Sequence, residues 1–198
     1  MLVNDPRSYS YLLGLYLGDG HLNDTGRGWQ LRIWLDLAYP EIIEDCATAM
    51  TLLTDGARRI GFRRREGWNA VGVDASWREW PLLLPQHGRG RKHERPIRLE
   101  TWQQKLVDAF PQELLRGLIH SDGCRTVNRF TTTLPSGRVA EYAYPRYFFT
   151  NMSADIRELF CRTCEALGIR WTQSNHRNIS VSHRRSVAAL DAFIGPKS

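Results

Sequence analysis

Leu12-Leu-Gly-Leu-Tyr-Leu-Gly-Asp-Gly20 and Leu115-Arg-Gly-Leu-Ile-His-Ser-Asp-Gly123 are two versions of one phrase, 103 residues apart, with Asp19 and Asp122 in register. Self-similarity at half the chain length marks a duplicated unit. In each copy two small residues stand four apart, Gly14 and Gly18 in the first, Gly117 and Ser121 in the second. On a helix that spacing puts both on one face, and two such faces let helices approach backbone to backbone, with Leu13, Leu15, Leu17, Leu115, Leu118 and Ile119 turned to flanking cores. The spacing predicts two motif helices packed through Gly14, Gly18, Gly117 and Ser121. Each ends at an Asp, before a glycine, Gly20 or Gly123, expected in the left-handed conformation that stops a helix.

Outward from each phrase the same order of patterns recurs: a β-like stretch, an amphipathic helix, two short strands and an apolar helix. In the first half, Trp29 to Asp36 alternates as a half-buried strand, with Leu31, Ile33 and Leu35 on one face. Pro40 to Leu53 reads as a helix, and Ala57 to Arg65 with Trp68 to Ala75 as a hairpin around Glu66-Gly67. In the second half the helix is Ser153 to Leu167, with Ser153 as N-cap and Gly168 as C-cap. Ile169 to Ser174 and Asn178 to His183 follow as strands, and Val187 to Ile194 as the last helix. Ile42 and Ile156 correspond at an offset of 114, so 11 extra residues lengthen the hairpin around Leu134-Pro-Ser-Gly137. A helix from about Thr101, broken or kinked near Pro111, leads into the second motif. The organisation is a first repeat over 1–84, a basic linker over 85–100 and a second repeat over 101–198. The linker PQHGRGRKHERPIR (85–98) is polar and basic, either solvated or laid along a phosphate backbone.

The 198 residues are 42% hydrophobic and 24% charged, a globular composition that excludes collagen, coiled-coil rods and wholesale disorder. No apolar run reaches the roughly 20 residues of a membrane span, and Met1 to Ser10 lacks a secretory pattern. A cytoplasmic, nucleoid-associated protein is expected. A net charge of +6 and a pI near 9.4 suit a nucleic-acid binder. Of the 27 basic residues only Lys92, Lys105 and Lys197 are lysines, leaving 24 arginines, whose planar fork suits phosphate and guanine edges; a GC-rich coding sequence yields the same bias. Four cysteines make no disulfide framework. Cys161 and Cys164 read as buried helix thiols rather than zinc ligands.

Two carboxylates at the negative ends of adjacent helices repel each other unless a cation lies between them. Oxygen ligation with few protein ligands suits Mg²⁺, which keeps waters and completes its shell with phosphate oxygens. Such ions activate water for in-line attack and stabilise a leaving 3′ oxygen, which points to phosphodiester hydrolysis at one strand per carboxylate. For a single Asp-Gly a mere helix cap is the better reading; two copies in matched context favour the cation.

These two phrases and the order of elements after them resemble the single-chain, two-motif LAGLIDADG homing endonucleases, in the compact form of GC-rich bacteria, over nearly the whole chain. The resemblance implies an α+β fold of two pseudo-symmetric αββαββα repeats, with antiparallel sheets forming a DNA-binding saddle around two central packed motif helices. It implies Asp19 and Asp122 as catalytic, metal-binding acids, with Gly18 and Ser121 beside the metal, and Mg²⁺ as cofactor, Mn²⁺ as a possible one and Ca²⁺ as a non-catalytic substitute. It further implies basic or amide groups around the metals, for which Gln30, Arg59, His120 and His183 are candidates. Tyr16 and His120 stand where the family's motif is usually aliphatic or small, and Gly18 where alanine is commonest.

Strand alternation separately nominates residues for reading DNA. In Arg58 to Arg65, Ile60 and Phe62 are expected in the core, leaving Arg59, Arg63 and Arg65 on the opposite face. Gln30, Arg32, Trp34, Arg125, Arg129, Arg170, Thr172 and Ser174 join them; a β-ribbon fits the major groove, where arginine pairs with guanine. The expected partner is double-stranded DNA at a long asymmetric site, bound by a monomer with internal pseudo-dimer symmetry and no membrane contact. The expected function is site-specific double-stranded DNA cleavage. The alternatives are a non-cleaving DNA-binding transcriptional regulator on the same saddle and an RNA-binding maturase.

Overall fold

Asp5 opens the first motif helix. Its carboxylate accepts from the Ser8 amide at 2.7 Å, Pro6 takes the first helical position, where a missing N–H costs nothing, and α1 (Pro6–Asp19) follows. The computed structural model describes residues 3–195. After α1 come β1 (Gly20–Asp24), β2 (Trp29–Asp36), α2 (Pro40–Leu53), β3 (Ile60–Arg64), β4 (Ala70–Ser76) and α3 (Trp80–Leu83). The second half runs α4 (Thr101–Ala109), α5 (Pro111–Asp122), β5 (Gly123–Thr133), β6 (Val139–Thr150), α6 (Ala154–Ala166), β7 (Thr172–Gln173), β8 (Asn178–Val181) and α7 (Arg184–Ile194). Apart from α4, each half is an αββαββα unit, as the resemblance implied. The two sheets share one order, β1-β2-β4-β3 and β5-β6-β8-β7, antiparallel throughout.

Burial follows the alternation read from the sequence. Leu31, Ile33 and Leu35 of β2 are buried with Ile42, Cys46 and Met50 of α2. In the other half Phe149 stacks on Phe160 of α6 at 4.3 Å. The expected helix before the second motif is two helices, because Phe110 leaves helical geometry (φ −131°, ψ 55°) ahead of Pro111. Ser153 caps α6 through the Ile156 amide, and Gly168 ends it at φ 67°. Cys161 and Cys164 are buried in α6, and burial pushes the Cys161 thiol up to about 11.

The extra length of the second half lies in the β5–β6 hairpin, 11 and 12 residues against 5 and 8 in β1–β2, turning at Leu134–Arg138. Three expectations are corrected. The strand at Ile169 to Ser174 shrinks to Thr172–Gln173, because the Ile169 amide bonds to Cys164 in closing α6 and the Arg170 amide to Ser186 Oγ. Phe62 is 58% exposed: β3 is an edge strand, and Phe62 falls beyond the helical cover that half-buries Ile60. Gly20 and Gly123 are extended, at φ −82° and −105°, not left-handed. Glycine is needed there for space, since a Cβ at Gly20 would sit 2.6 Å from Tyr16 Cδ2 and one at Gly123 2.8 Å from Ile119 Cα.

The linker is a docked strap. Near its start the buried Gln86 donates to the Arg98 carbonyl at 2.7 Å and to Gln103 Oε1 at 2.6 Å, while Gln103 donates to the Tyr9 hydroxyl. Near its end Ile97 is buried and its amide bonds to Asp155 at 2.6 Å. A 3-10 turn, Lys92–Glu94, sits between these anchors.

Candidate active site

The site is built on the crossing of α1 and α5. A Cβ added at Gly14 would lie 2.6 Å from the Leu114 carbonyl oxygen and 2.7 Å from the Leu118 nitrogen, both backbone, and one at Gly117 would strike the Tyr11 carbonyl. Gly18 meets the Ser121 side chain, so all four small residues lie at the crossing. Ser121 Oγ bonds back to Gly117 and Leu118 within its own helix, which lets a hydroxyl sit in so narrow a gap. The flanking Leu12, Leu13, Leu15, Leu17, Leu114, Leu115, Leu118 and Ile119 are all buried.

This contact carries each carboxylate to the end of the other helix. Asp122 ends α5 beside Gly18 of α1: a Cβ at Gly18 would be 2.9 Å from Asp122 Oδ2. Asp19 ends α1 and shares a cavity of about 250 Å³ with Ser121, Asp36, Tyr39 and His120. Asp122 borders another of about 460 Å³, with Gly18, His21, Lys92, His93 and Asn151. Asn151 donates to Asp122 Oδ2 at 2.6 Å, an amide at the acid that sequence reasoning did not nominate. Asp36, also not nominated, accepts from the Ala38 amide and from Asn69.

The other unforeseen participant is Lys92. Its ammonium donates to the carbonyls of Tyr16 and Gly18, the latter at 3.0 Å, and lies 4.9 Å from the centre of the Tyr16 ring. Burial pulls its pKa down to about 8, against the upward pull of Asp122 and Asp19. Burial pushes the Tyr16 phenol up to about 12, against the downward pull of the Arg95 guanidinium from the same strap. The unusual motif residue Tyr16 is thus the seat of the strap. The unusual His120 is a tie: Nδ1 is 2.9 Å from the Tyr11 hydroxyl and Nε2 2.6 Å from the Ile194 carbonyl, joining α5 to α1 and α7.

Register assigns the sheet faces. In the first sheet Gln30, Arg32 and Trp34 pair with Ser76, Asp74 and Gly72, and Arg63 also pairs with Gly72, so all lie on the face away from the buried β2 leucines. Arg59 precedes β3 and Arg65 follows it, both exposed, with Arg65 stacked on Trp68 at 4.2 Å. At the centre of this face is a buried carboxylate. Asp74 accepts from Gln30 at 2.7 Å and Arg63 at 3.0 Å, with Arg32 at 3.7 Å. Hidden in the apolar run of β4, Asp74 gave no signal in the sequence.

The second sheet departs from expectation. Thr172 pairs with Ser180, and Ser180 with Phe148, on the open face; Ser174 and Arg170 are exposed just outside β7. Arg125 pairs with Tyr147 on the helix side, where its Nε and Nη2 donate to Asp191 of α7, at 2.8 and 3.1 Å. Arg129 shares that side, opposite Ala143. The open face of the long hairpin instead carries Thr126, Asn128 and Arg146 and an aromatic ladder in which Tyr142 stacks on Phe130 (5.4 Å) and Tyr144 (5.9 Å). The alternate aromatics of Tyr142 and Tyr144 were the available signal. Candidate His183 caps α7 and lines a different cavity, with Arg170, Trp171 and Thr172.

Two helices packed through small residues, with two antiparallel sheets of one strand order, make a two-repeat α+β architecture, and comparison with solved structures identifies it as the LAGLIDADG fold. The chain is similar, over 98% of its length, to 92% of I-DmoI in its complex with DNA and Ca (TM-score 0.61, 20% identity). It is similar, over 93%, to 82% of the LAGLIDADG meganuclease I-AabMI bound to uncleaved DNA (0.55, 14%), and, over 98%, to 83% of the N-terminal LAGLIDADG domain of WhiA (0.54, 12%). No protein-family model and no curated protein matches the sequence.

Proposed function

We propose that the chain is a site-specific, divalent-metal-dependent DNA endonuclease that acts as a monomer with internal pseudo-twofold symmetry. The observation that carries this reading is the placement of Asp19 and Asp122 at the carbonyl ends of two helices whose backbones touch at Gly14 and Gly117. Two like charges there are unfavourable without a cation.

The donor set suits a hard divalent ion: two carboxylates and the Gly18 carbonyl offer only oxygen, and an ammonium already sits on that carbonyl. Among the described residues no three His, Cys, Asp or Glu side chains are placed to hold one metal ion, so waters and a phosphodiester would complete the shell. Asp19, Asp122, Gly18 and Ser121 are the residues that would hold or flank Mg²⁺, or Mn²⁺ in its place, with Ca²⁺ binding unproductively. Such an ion supplies activation of water and stabilisation of a leaving 3′ oxygen. Asn151 orients the Asp122 carboxylate through its amide. The open sheet faces would take up duplex DNA, in which Arg59, Arg63, Arg65, Arg170 and Arg146 offer guanidinium groups to phosphates and guanines. Unequal halves require an unequal, non-palindromic target. Among the structural neighbours, I-DmoI has been captured with DNA and Ca or Mn.

One observation favours a second reading, a DNA-binding regulator that does not cut. Lys92 already supplies a positive charge on the Gly18 carbonyl and in the Asp122 cavity. Purified protein incubated with Mg²⁺ and a target selected from its genomic neighbourhood separates the two. Cleavage by the wild type, lost in Asp19→Asn and Asp122→Asn with binding retained, supports the endonuclease. Tight, salt-sensitive binding without cleavage, unchanged in both variants, supports the regulator.

A further inference from the structure

We propose that Lys92 is the resident cation of the paired-carboxylate end, delivered by the strap to a carbonyl that a divalent ion would hold, so that ammonium and metal exchange there. The proposal rests on reading Asp19 and Asp122 as a cation-binding pair, not on cleavage itself.

Four observations converge. Lys92 Nζ donates to the Gly18 carbonyl at 3.0 Å and to that of Tyr16, the open carbonyl end of α1, where a positive charge is favoured. Asp122 lines the same cavity as Lys92, and its charge and that of Asp19 favour the ammonium form. The strap is held in place independently of the lysine, by Gln86 before it and by Ile97 after it. The residue type is informative: in a chain with 24 arginines and three lysines, the position on the motif carbonyls is a lysine, a compact point charge that enters where a planar fork does not.

The device is one-sided. Tyr16, under the ammonium, corresponds to Ile119 in the second motif, which offers no ring and no hydroxyl. The cavity at Asp122 contains Lys92 and Asn151, while the cavity at Asp19 contains Asp36, Tyr39 and His120. The pseudo-symmetry of the fold is therefore broken in charge at its centre.

The test uses the full-length protein without DNA. Lys92→Met keeps the aliphatic stem and removes the charge. In metal-free buffer its melting temperature falls below that of the wild type, and Asp122→Asn in the Lys92→Met background recovers the loss. Calcium binding by calorimetry becomes at least tenfold tighter in Lys92→Met, and millimolar Ca²⁺ raises its melting temperature more than that of the wild type. Should Lys92→Met be unfolded without metal, folding on addition of Ca²⁺ supports the proposal, and failure to fold with Ca²⁺ or with Asp122→Asn overturns it. Calcium affinity that is unchanged, weaker or undetectable in a folded Lys92→Met also overturns it, and leaves Lys92 as a strap anchor. The endonuclease reading fails separately: a chain that shows the exchange but never cuts keeps this inference, and one that cuts with Mg²⁺ while Lys92→Met binds Ca²⁺ as the wild type does loses only this inference.

Discussion

Gly14→Ala is the sharpest test of the helix crossing, because the added methyl meets only backbone. It would lie 2.6 Å from the Leu114 oxygen and 2.7 Å from the Leu118 nitrogen, short of ordinary contact by about 0.8 Å against carbon separations of roughly 3.5 Å. No rotamer change relieves this, so α5 must move as a unit. A gap of 0.5–1 Å already forfeits about a quarter to a half of each contact well among the neighbouring leucines, and overpacked cores lose about 1–3 kcal/mol, sometimes more. Helix propensity returns about 1 kcal/mol on replacing glycine by alanine. With both contacts to backbone the loss falls at the upper end, about 3 kcal/mol, so the net expectation is a loss of about 2 kcal/mol, or a fall in melting temperature of about 4–8 °C for a chain of this size. Urea and thermal denaturation of Gly14→Ala and wild type measure it. Gly18→Ala provides the contrast: there the clash is with side chains, Ser121 first and Asp122 Oδ2 after it, so Ser121→Gly recovers most of the stability in the double variant, with a coupling of about 1 kcal/mol or more. A Gly14→Ala protein as stable as the wild type, or a Gly18→Ala variant indifferent to Ser121→Gly, would refute the backbone-contact argument.

Asp74→Asn removes the carboxylate that holds Gln30 and Arg63 on the open face of the first sheet; its side chain is 7% exposed. Stability falls by about 1.5–3 kcal/mol, the range for hydrogen bonds to charged groups. Non-specific DNA affinity rises at low salt, and the slope of log K against log salt steepens by up to about 0.9, in filter-binding or anisotropy titrations. Asp191 is held below the ordinary carboxylate range first by its hydrogen bonds with Arg125, and by Tyr147 as well. Its stabilising effect is therefore present above the unfolded carboxylate value and lost as pH falls through the lower, folded one. Melting curves of wild type and Asp191→Asn between pH 7 and 2 should differ near neutrality and converge at the acid end. Asp191 is more than a third exposed and Arg125 about a quarter, so solvent screening holds the difference to about 1 kcal/mol or less.

What the sequence made legible depended on period and repetition. The four-residue spacing of Gly14, Gly18, Gly117 and Ser121 carries its geometry with it, since a helix leaves no freedom about which face such residues share. The face of β2 was readable because Leu31, Ile33 and Leu35 anchor its parity. The stretch from Cys124 to Thr133 has no such anchor, and alternation alone therefore did not show that Arg125 and Arg129 lie on the helix side. Phe62 misled because hydrophobicity reports burial only where another layer covers the strand. Asp74, Asn151 and Lys92 matter through partners far away in sequence, Gln30, Asp122 and Gly18. A linker with one isoleucine among its charges gives no hint that it docks.

Because the joining segment supplies a group that neither half carries, the halves are not interchangeable parts. A chimera that keeps the first motif but takes its connector from a relative leaves Tyr16 without its lysine, and a chain divided at the connector into two separately expressed pieces loses the covalent delivery of that charge. Recombination among such proteins, in the laboratory or in genomes, would have to carry Tyr16 and the strap across together, which makes the first half and its connector the smallest portable module.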